Sequence, residues 1–249
     1  MNRVTVNDVE SRSYRAMEWA MMTPLASLVL GATIFVLFGG LTAWFGGSSG
    51  TVTSSEDGAA GLVGAVLLGF VGPVVLIGVA GVLFSISLLV VIITVYFDSK
   101  TLETADIGWQ PNAAVFGLIT FFFQPFVFYY LYKRHEYVVD WVDSGRWGTV
   151  AAGSLVLSTL LAGGGLVAMI LGQVGLPMIL VSLGVVALAP FPYAIYRDST
   201  YVRLNSGSWQ PNPGATFPVA LASMLLLPPS YLLFGGYYLY KRRQALPAA

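Results

Sequence analysis

The 249-residue sequence is 56% hydrophobic and only 10% charged, whereas a typical soluble domain has roughly 25% charged residues. Its 12 basic and 12 acidic residues balance, which excludes a nucleic-acid binder held by a basic excess and an acidic disordered chain. With no cysteine, disulfides and thiolate chemistry are excluded as well. The composition and a mean hydropathy of +0.76 predict an all-α, polytopic integral membrane protein whose main partner is the lipid bilayer.

The first 23 residues form a polar segment ahead of the first long apolar run. Asp8, Glu10 and Glu18 make this segment acidic, and no small-residue cleavage site follows it, so we do not expect a signal peptide. Asn7 or Asp8 is placed to cap a short amphipathic helix that ends near Met22 and lies at the membrane interface.

Uncharged runs after this segment predict the membrane spans, because roughly 20 apolar residues are needed to cross a bilayer core of about 30 Å. The runs cover residues 24–45, 59–97, 112–132, 148–196 and 211–240. A glycine-rich break at residues 172–175 divides the fourth run into two spans. A break near Pro73 limits the second span to residues 73–97. The count is six spans, or seven if residues 59–71 also enter the membrane.

Several polar and aromatic motifs occur twice in the chain. Tyr-x-Asp-Ser ends at residues 99 and 199, Trp-Gln-Pro-Asn at 112 and 212, and Tyr-Tyr-Leu-Tyr-Lys-Arg at 134 and 242. Matching motifs in the same order indicate an internal duplication. We therefore predict a first three-helix repeat at 24–134, an interfacial linker at 135–147, a second three-helix repeat at 148–243 and a tail at 244–249.

The number of spans in each repeat decides how the repeats are oriented. Three is an odd number, so we expect the two repeats to be inverted relative to each other. Seven spans, or a third segment that re-enters the membrane without crossing it, would make them parallel. In the six-span arrangement, seven Lys and Arg residues lie on the N-terminal side and five on the other. This slightly favours cytoplasmic termini in a cell membrane, although it places Lys133 and Arg134 outside.

The repeated module resembles one found in uncharacterised membrane proteins of haloarchaea, which carry an Asp-containing helix end, a Trp-x-Pro loop and a closing Tyr-Leu-Tyr-Arg-Arg-His sequence. The matching residues are Asp98, Trp109, Pro111 and Tyr130-Leu-Tyr-Lys-Arg-His135, then Asp198, Trp209, Pro211 and Tyr238-Leu-Tyr-Lys-Arg-Arg243. The resemblance covers about half of the chain and implies an archaeal cell membrane but no particular chemistry. The neutral charge balance departs from the acidic surfaces usual in such organisms.

The repeated polar motifs supply the candidate interface or ligand positions. These are Asp98, Ser99, Trp109, Gln110, Asp198, Ser199, Trp209 and Gln210. In a ligand site, aspartate would bind a cation, glutamine would donate hydrogen bonds and tryptophan would stack. The favoured interpretation is structural: Asp and Ser end a helix in a turn, Trp anchors the membrane interface, and Pro-Asn starts the next helix.

Prolines interrupt the third helix of each repeat, at Pro125 and at Pro228-Pro229. Broken helices near mid-membrane are where transporters build binding sites, although neighbouring helices also satisfy such kinks. The candidate positions for a polar cavity between the repeats are Thr120, Gln124, Ser223 and Ser230.

These patterns predict a structural or accessory membrane subunit, or a homo-oligomeric scaffold. The alternative is a facilitator or channel for an uncharged or lipid-like solute at the repeat interface. The only histidine, His135, follows Lys133-Arg134 and is expected at the surface, outside any metal or catalytic site. We expect no cofactor, no metal, no nucleic-acid partner and no enzymatic activity. An enzymatic alternative would require Asp98, Glu103 and Asp106 to gather around a metal ion.

Overall fold

The structure is a computed structural model that describes residues 9, 11–23, 31, 72–105, 107–138, 144–173, 175–226 and 228–246. Every long element among these residues is a helix, as the composition predicted. The helices are α1 (residues 12–23), α2 (Gly72–Glu103), α3 (Ala113–Phe122), α4 (Phe126–Tyr137), α5 (Arg146–Ile170), α6 (Gly175–Leu188), α7 (Phe191–Asn205), α8 (Pro213–Leu226) and α9 (Pro228–Ala245).

Three stretches of the described chain are long and apolar enough to cross a bilayer. They are Gly81–Glu103, Arg146–Ile170 and Gly175–Asn205, the last of which contains both α6 and α7. These stretches are compatible with a multi-pass membrane protein. The predicted span at 24–45 lies outside the described residues except for Gly31, and the segment at 59–71 lies wholly outside them.

The predicted break between the two spans of the fourth run is present at Gly172. This residue has a φ of 76°, a left-handed conformation that glycine adopts without steric cost. The amide of Gln173 then donates to the carbonyl of Ala168 at 3.0 Å, as in the helix ending that a left-handed glycine produces. Helix α5 therefore ends here and α6 begins at Gly175.

The third apolar segment of the first half is a helical hairpin and not a span. In one continuous helix, Phe116 and Tyr130 would lie about 21 Å apart along the axis, but their ring centroids are 5.5 Å apart. Trp109, before α3, likewise stacks on Tyr137, at the end of α4, at 5.8 Å. The chain therefore reverses at Pro125, and the prediction of a third span at 112–132 is wrong.

The corresponding segment of the second half also folds back on itself. The Ser230 hydroxyl at the start of α9 donates to the carbonyl of Ser223 in α8. The rings of Trp209, before α8, and Tyr238, late in α9, lie 5.3 Å apart, whereas a continuous helix would separate them by about 40 Å. Helices α8 and α9 are thus a second hairpin, and the prediction that this segment is a sixth span is also wrong.

The chain divides into two compact units. The polar unit comprises Met1–Met22, Ile86–Leu155 and Pro190–Ala249, and the apolar unit comprises Thr23–Ser85 and Val156–Ala189. All 12 Lys and Arg residues and ten of the 12 acidic residues fall within the ranges of the polar unit. Both hairpins belong to the polar unit.

Within the apolar unit, α5 and α6 pack closely at glycines. A side chain at Gly165 would lie 3.2 Å from the carbonyl oxygen of Pro177, and one at Gly184 would lie 3.2 Å from the carbonyl oxygen of Ser158. Small residues let helix backbones approach closely where no hydrophobic effect drives them together.

Candidate functional site

The most prominent polar feature of the polar unit is a buried ion pair between α2 and α4. Asp98 Oδ2 accepts hydrogen bonds from the Tyr130 hydroxyl at 2.6 Å and from Arg134 Nε at 2.8 Å. All three side chains are fully buried. Tyr130 and Arg134 are four residues apart on one helix, so their side chains share a face and converge on one carboxylate.

The same set of contacts recurs between α7 and α9. Asp198 Oδ2 accepts from the Tyr238 hydroxyl at 3.0 Å and from Arg242 Nε at 2.7 Å. Asp198 is fully buried, whereas the Arg242 side chain is 25% exposed. Arg242 also donates through Nη2 to the carbonyl oxygen of Gly145 at 3.1 Å. We call each group of one Asp, one Tyr and one Arg a triad.

The interpretation of the two aspartates as helix-ending residues is wrong. Asp98 lies five residues inside the end of α2, and Asp198 lies in the middle of α7. Each is buried within its helix because a Tyr and an Arg from a hairpin compensate it. The sequence contained a signal for this pairing, since Tyr-x-x-x-Arg follows each Asp-Ser motif in the same order. The pairing partners themselves lie 36 and 44 residues away, beyond the reach of local patterns.

A second hydrogen-bonded group joins α1, α4 and α7 next to the first triad. His135 Nε2 lies 2.9 Å from the hydroxyls of Tyr14 and Tyr196, which also hydrogen-bond to each other. The guanidinium carbon of Arg134 lies 3.3 Å from the centroid of the Tyr14 ring, a cation–π geometry. Arg203 donates to the carbonyl oxygen of His135.

The prediction of a surface histidine is therefore wrong, because His135 is fully buried. Burial, reinforced by the positive charges of Arg134 and Arg203, lowers the pKa of His135 well below its ordinary value. The imidazole is consequently neutral at pH 7 and serves as a hydrogen-bonding group between three helices.

The two Trp-Gln-Pro-Asn motifs lie at the base of the hairpins. The Trp109 ring lies 5.8 Å from that of Tyr130, and Trp209 lies against Tyr238, so each tryptophan packs on the tyrosine of a triad. Gln110 is exposed. Gln210 is exposed as well.

The asparagines of these motifs start the following helices, as predicted. Asn112 Oδ1 accepts from the backbone amide of Val115 at 3.0 Å and caps α3. Asn212 Oδ1 accepts from the amide of Gly214 at 2.9 Å, and its Nδ2 donates to the carbonyl oxygen of Tyr132 at 3.0 Å. The second motif thus also links the second hairpin to α4 of the first.

The two serines after the aspartates are fully buried beside the triads. Ser199 donates to the carbonyl of Ile195 at 2.7 Å and lies 2.8 Å from Thr216 Oγ1 and 3.2 Å from the Tyr238 hydroxyl. Ser99 occupies the corresponding position next to Asp98. Neither serine is presented to an open surface.

The four residues proposed to line a polar cavity do not line one together. Thr120 and Ser223 are buried and donate to carbonyls of their own helices, and Gln124 is exposed at the turn of the first hairpin. Ser230 donates to Ser223 across the second hairpin. A cavity of about 10 Å³ in the polar unit is lined by other residues: Glu18, Met21, Met22, Leu131, Tyr196 and Phe217.

Two of the three residues of the enzymatic alternative make structural contacts. Glu103 accepts from the backbone amide of Ala113 at 2.7 Å and so binds the first turn of α3. Asp98 is paired with Arg134, and Asp106 lies outside the described residues. Within the described ranges, no group of three or more His, Asp or Glu residues is placed to hold a metal ion.

The contacts of the polar unit also exclude an inverted arrangement of the triads. Arg134 of the first triad packs on Tyr14, whose hydroxyl bonds to Tyr196, and Tyr196 lies two residues from Asp198 of the second triad. A bilayer core of about 30 Å cannot separate groups joined by so short a series of contacts. The prediction that Arg134 and Arg242 lie on opposite membrane faces is therefore wrong.

No family model, curated protein or solved structure matches this chain. Each triad joins the closing end of a hairpin to a long helix, with the acidic and basic charges opposed and buried. Such an arrangement fixes the position of the hairpin and leaves neither carboxylate open to a solute.

Proposed function

We propose that this chain is a structural or accessory protein of a prokaryotic cell membrane, acting as a subunit of a larger complex or as an oligomeric scaffold. The observation that carries the proposal is the closed form of both triads. Each buried carboxylate is neutralised by an arginine and a tyrosine from the adjacent hairpin. Charged groups paired in this way hold helices together, whereas a transport pathway needs polar groups that face a solute.

The proposed topology has four spans and two hairpins. The spans are residues 24–45, α2, α5, and α6 with α7, so each half contributes two spans and one hairpin. An even number of crossings makes the halves parallel, which agrees with both triads lying in one compact unit.

The charges favour this topology strongly over the six-span arrangement. With four spans, all 12 Lys and Arg residues lie on the side of the termini and none lies in the loops at 46–58 and 171–174. The seven-to-five distribution of the six-span arrangement thus becomes 12 to none. The positive-inside preference then places both termini in the cytoplasm.

The solute-facilitator alternative has weaker support. Its candidate residues Thr120 and Ser223 donate to their own helices, and Gln124 is exposed. It would be favoured if the purified chain, reconstituted in vesicles, raised the flux of an uncharged solute such as glycerol above that of protein-free vesicles.

The accessory role is tested by purifying the full chain from its native membrane in a mild detergent. We expect a stoichiometric partner, or a discrete oligomer in light scattering of the chain with its bound detergent. A strictly monomeric chain without a partner would contradict the proposal. Asp198→Asn leaves Arg242 without its counter-charge. We expect this variant to weaken the assembly only through unfolding of the second hairpin.

The topology is tested separately with single cysteines, since the chain has none of its own. Thr104→Cys and Ser208→Cys report on the two loops that precede the hairpins, and Gln173→Cys reports on the loop after α5; all three positions are exposed. In intact cells, an impermeant thiol reagent should label residue 173 alone. Labelling of only one of residues 104 and 208 would reject the parallel arrangement.

A further inference from the structure

The first hairpin has a polar base and a turn at which phenylalanines surround one polar residue, Gln124. At its base, Trp109 stacks on Tyr137, and Lys133 pairs with Glu136. At the other end, Phe121, Phe122 and Phe123 are exposed, Phe122 to 78%. Three adjacent exposed phenylalanines at the turn mark a surface that requires an apolar partner.

The two helices of the first hairpin, its arms, are each about as long as half the thickness of the bilayer core. Helix α3 has 10 residues and α4 has 12, which corresponds to about 15 and 18 Å. The hydrocarbon core is about 30 Å thick. A hairpin whose base lies at one interface therefore brings its three phenylalanines close to the middle of the membrane.

Three backbone amides around the turn have acceptors within the hairpin, which lowers the cost of placing them in hydrocarbon. The amide of Phe123 donates to Ile119, and the amides of Phe126 and Val127 donate to the carbonyls of Phe123 and Gln124. Pro125 has no amide hydrogen to satisfy. The turn can therefore lie in lipid without exposing these amides.

The second hairpin resembles the first in its length and in its polar base. Helix α8 has 14 residues, about 21 Å, and the apolar part of α9 ends at Tyr240, where Lys241 and Arg242 begin the basic end. Leu233, in the first half of α9, is 75% exposed. The closing Tyr238 and Arg242 are tied to Asp198 at the base.

We propose that both hairpins insert into the hydrocarbon of the cytoplasmic leaflet only, and that the chain therefore favours membranes in which this leaflet is convex. The partner of the exposed apolar side chains is lipid. The spans displace lipid from both leaflets equally, whereas four hairpin arms displace it from one. A helix about 10 Å across has a cross-section of about 80 Å², so the excess is about 300 Å². This inference rests on the proposed topology.

The depth of the turn is the first test. A nitroxide attached at Phe122→Cys, in the full chain reconstituted in phosphatidylcholine–phosphatidylglycerol vesicles, should collide with oxygen and not with a nickel chelate. The same label at Gln110→Cys, at the base, should collide with the chelate. Collision with nickel at residue 122 would place the turn in water, and collision with neither probe would mean that protein covers it. Either result overturns the proposal.

The curvature preference is the second test. The chain is reconstituted in a mixture of small and large vesicles of that composition, and its orientation is read from the label at Ser208→Cys. Molecules with the cytoplasmic face outward should be denser per lipid on small vesicles, and those facing inward should be denser on large ones. Equal densities would refute the preference.

A matched pair of variants separates insertion of the turn from general loss of apolar surface. Phe122→Ser should reduce the sorting between vesicles. Leu160→Ser, on the spanning helix α5 and 68% exposed, should leave the sorting unchanged. Equal effects of the two variants would count against the hairpin as the cause. The labelling of residues 104, 173 and 208 tests the topology independently of these insertion and curvature measurements.

Discussion

Removing Arg134 should destabilise the protein more than removing its counterpart Arg242. Arg134→Met keeps the length of the side chain and removes the guanidinium, which leaves the Asp98 carboxylate buried with only the Tyr130 hydroxyl. The other oxygen of Asp98, Oδ1, is buried and has no hydrogen-bond partner among the described residues. Breaking one side of a buried ion pair costs about 3–5 kcal/mol, because a charge remains in a medium that solvates it poorly.

Arg242→Met should cost less, about 2 kcal/mol, the range of a hydrogen bond to a charged group. The side chain of Arg242 is 25% exposed, whereas that of Arg134 is fully buried, so water can partly solvate the Asp198 carboxylate that remains. Both arginines bond to their aspartates through Nε. They differ in burial and in their second contact, which is the Tyr14 ring for Arg134 and the Gly145 carbonyl oxygen for Arg242.

The assay is the free energy of unfolding in mixed micelles titrated with a denaturing detergent, followed by tryptophan fluorescence. The double variant Asp98→Asn/Arg134→Met closes a double-mutant cycle, in which the coupling energy should be favourable and exceed about 1 kcal/mol. Equal costs for Arg134→Met and Arg242→Met, or a coupling energy near zero, would refute the conclusion that the buried charge dominates.

Three further variants test other contacts of the polar unit. Because the pKa of His135 is lowered in the folded protein, the unfolded chain takes up this proton at a higher pH, and stability should fall as the pH drops below about 6.5. In His135→Gln, the melting temperature should depend less on pH between pH 7.5 and 5. An unchanged pH dependence would refute the conclusion that His135 is buried in its neutral form. Gly214→Ala should lower the melting temperature because the new methyl carbon would lie 2.4 Å from the Leu131 backbone, whereas Gly236→Ala, with nothing within 4 Å, should not lower it. Asn112→Ala should cost about 1 kcal/mol through the lost cap of α3, measurable as a shift of the detergent midpoint, and no shift would show that the cap is dispensable.

The sequence by itself determined the helical class and the apolar character of the long helices. Low charge and uncharged runs of about 20 residues leave few alternatives to helices that satisfy their own backbone. It also located the helix starts at Pro111-Asn112 and Pro211-Asn212 and the break at Gly172. These features are local, because caps and left-handed glycines act on their own turn of backbone.

Only the tertiary structure decided that the third apolar segment of each half is a hairpin. Residues 112–132 are as long and as uncharged as a span, and Pro125 is compatible with a kink as well as with a reversal. The difference between these outcomes lies in contacts such as that between Phe116 and Tyr130. No local property of the sequence specifies them.

The burial of the polar residues was likewise decided by distant partners. Asp98 lies near the end of its helix and His135 follows two basic residues, so both look like surface positions. Asp98 is buried because Arg134 supplies the opposite charge, and His135 is buried because Tyr14 and Tyr196 supply its hydrogen bonds. Burying a polar side chain is costly unless it finds a hydrogen-bond or charge partner in the protein. The fold brings the partners of Asp98 and His135 together from three separate regions of the chain.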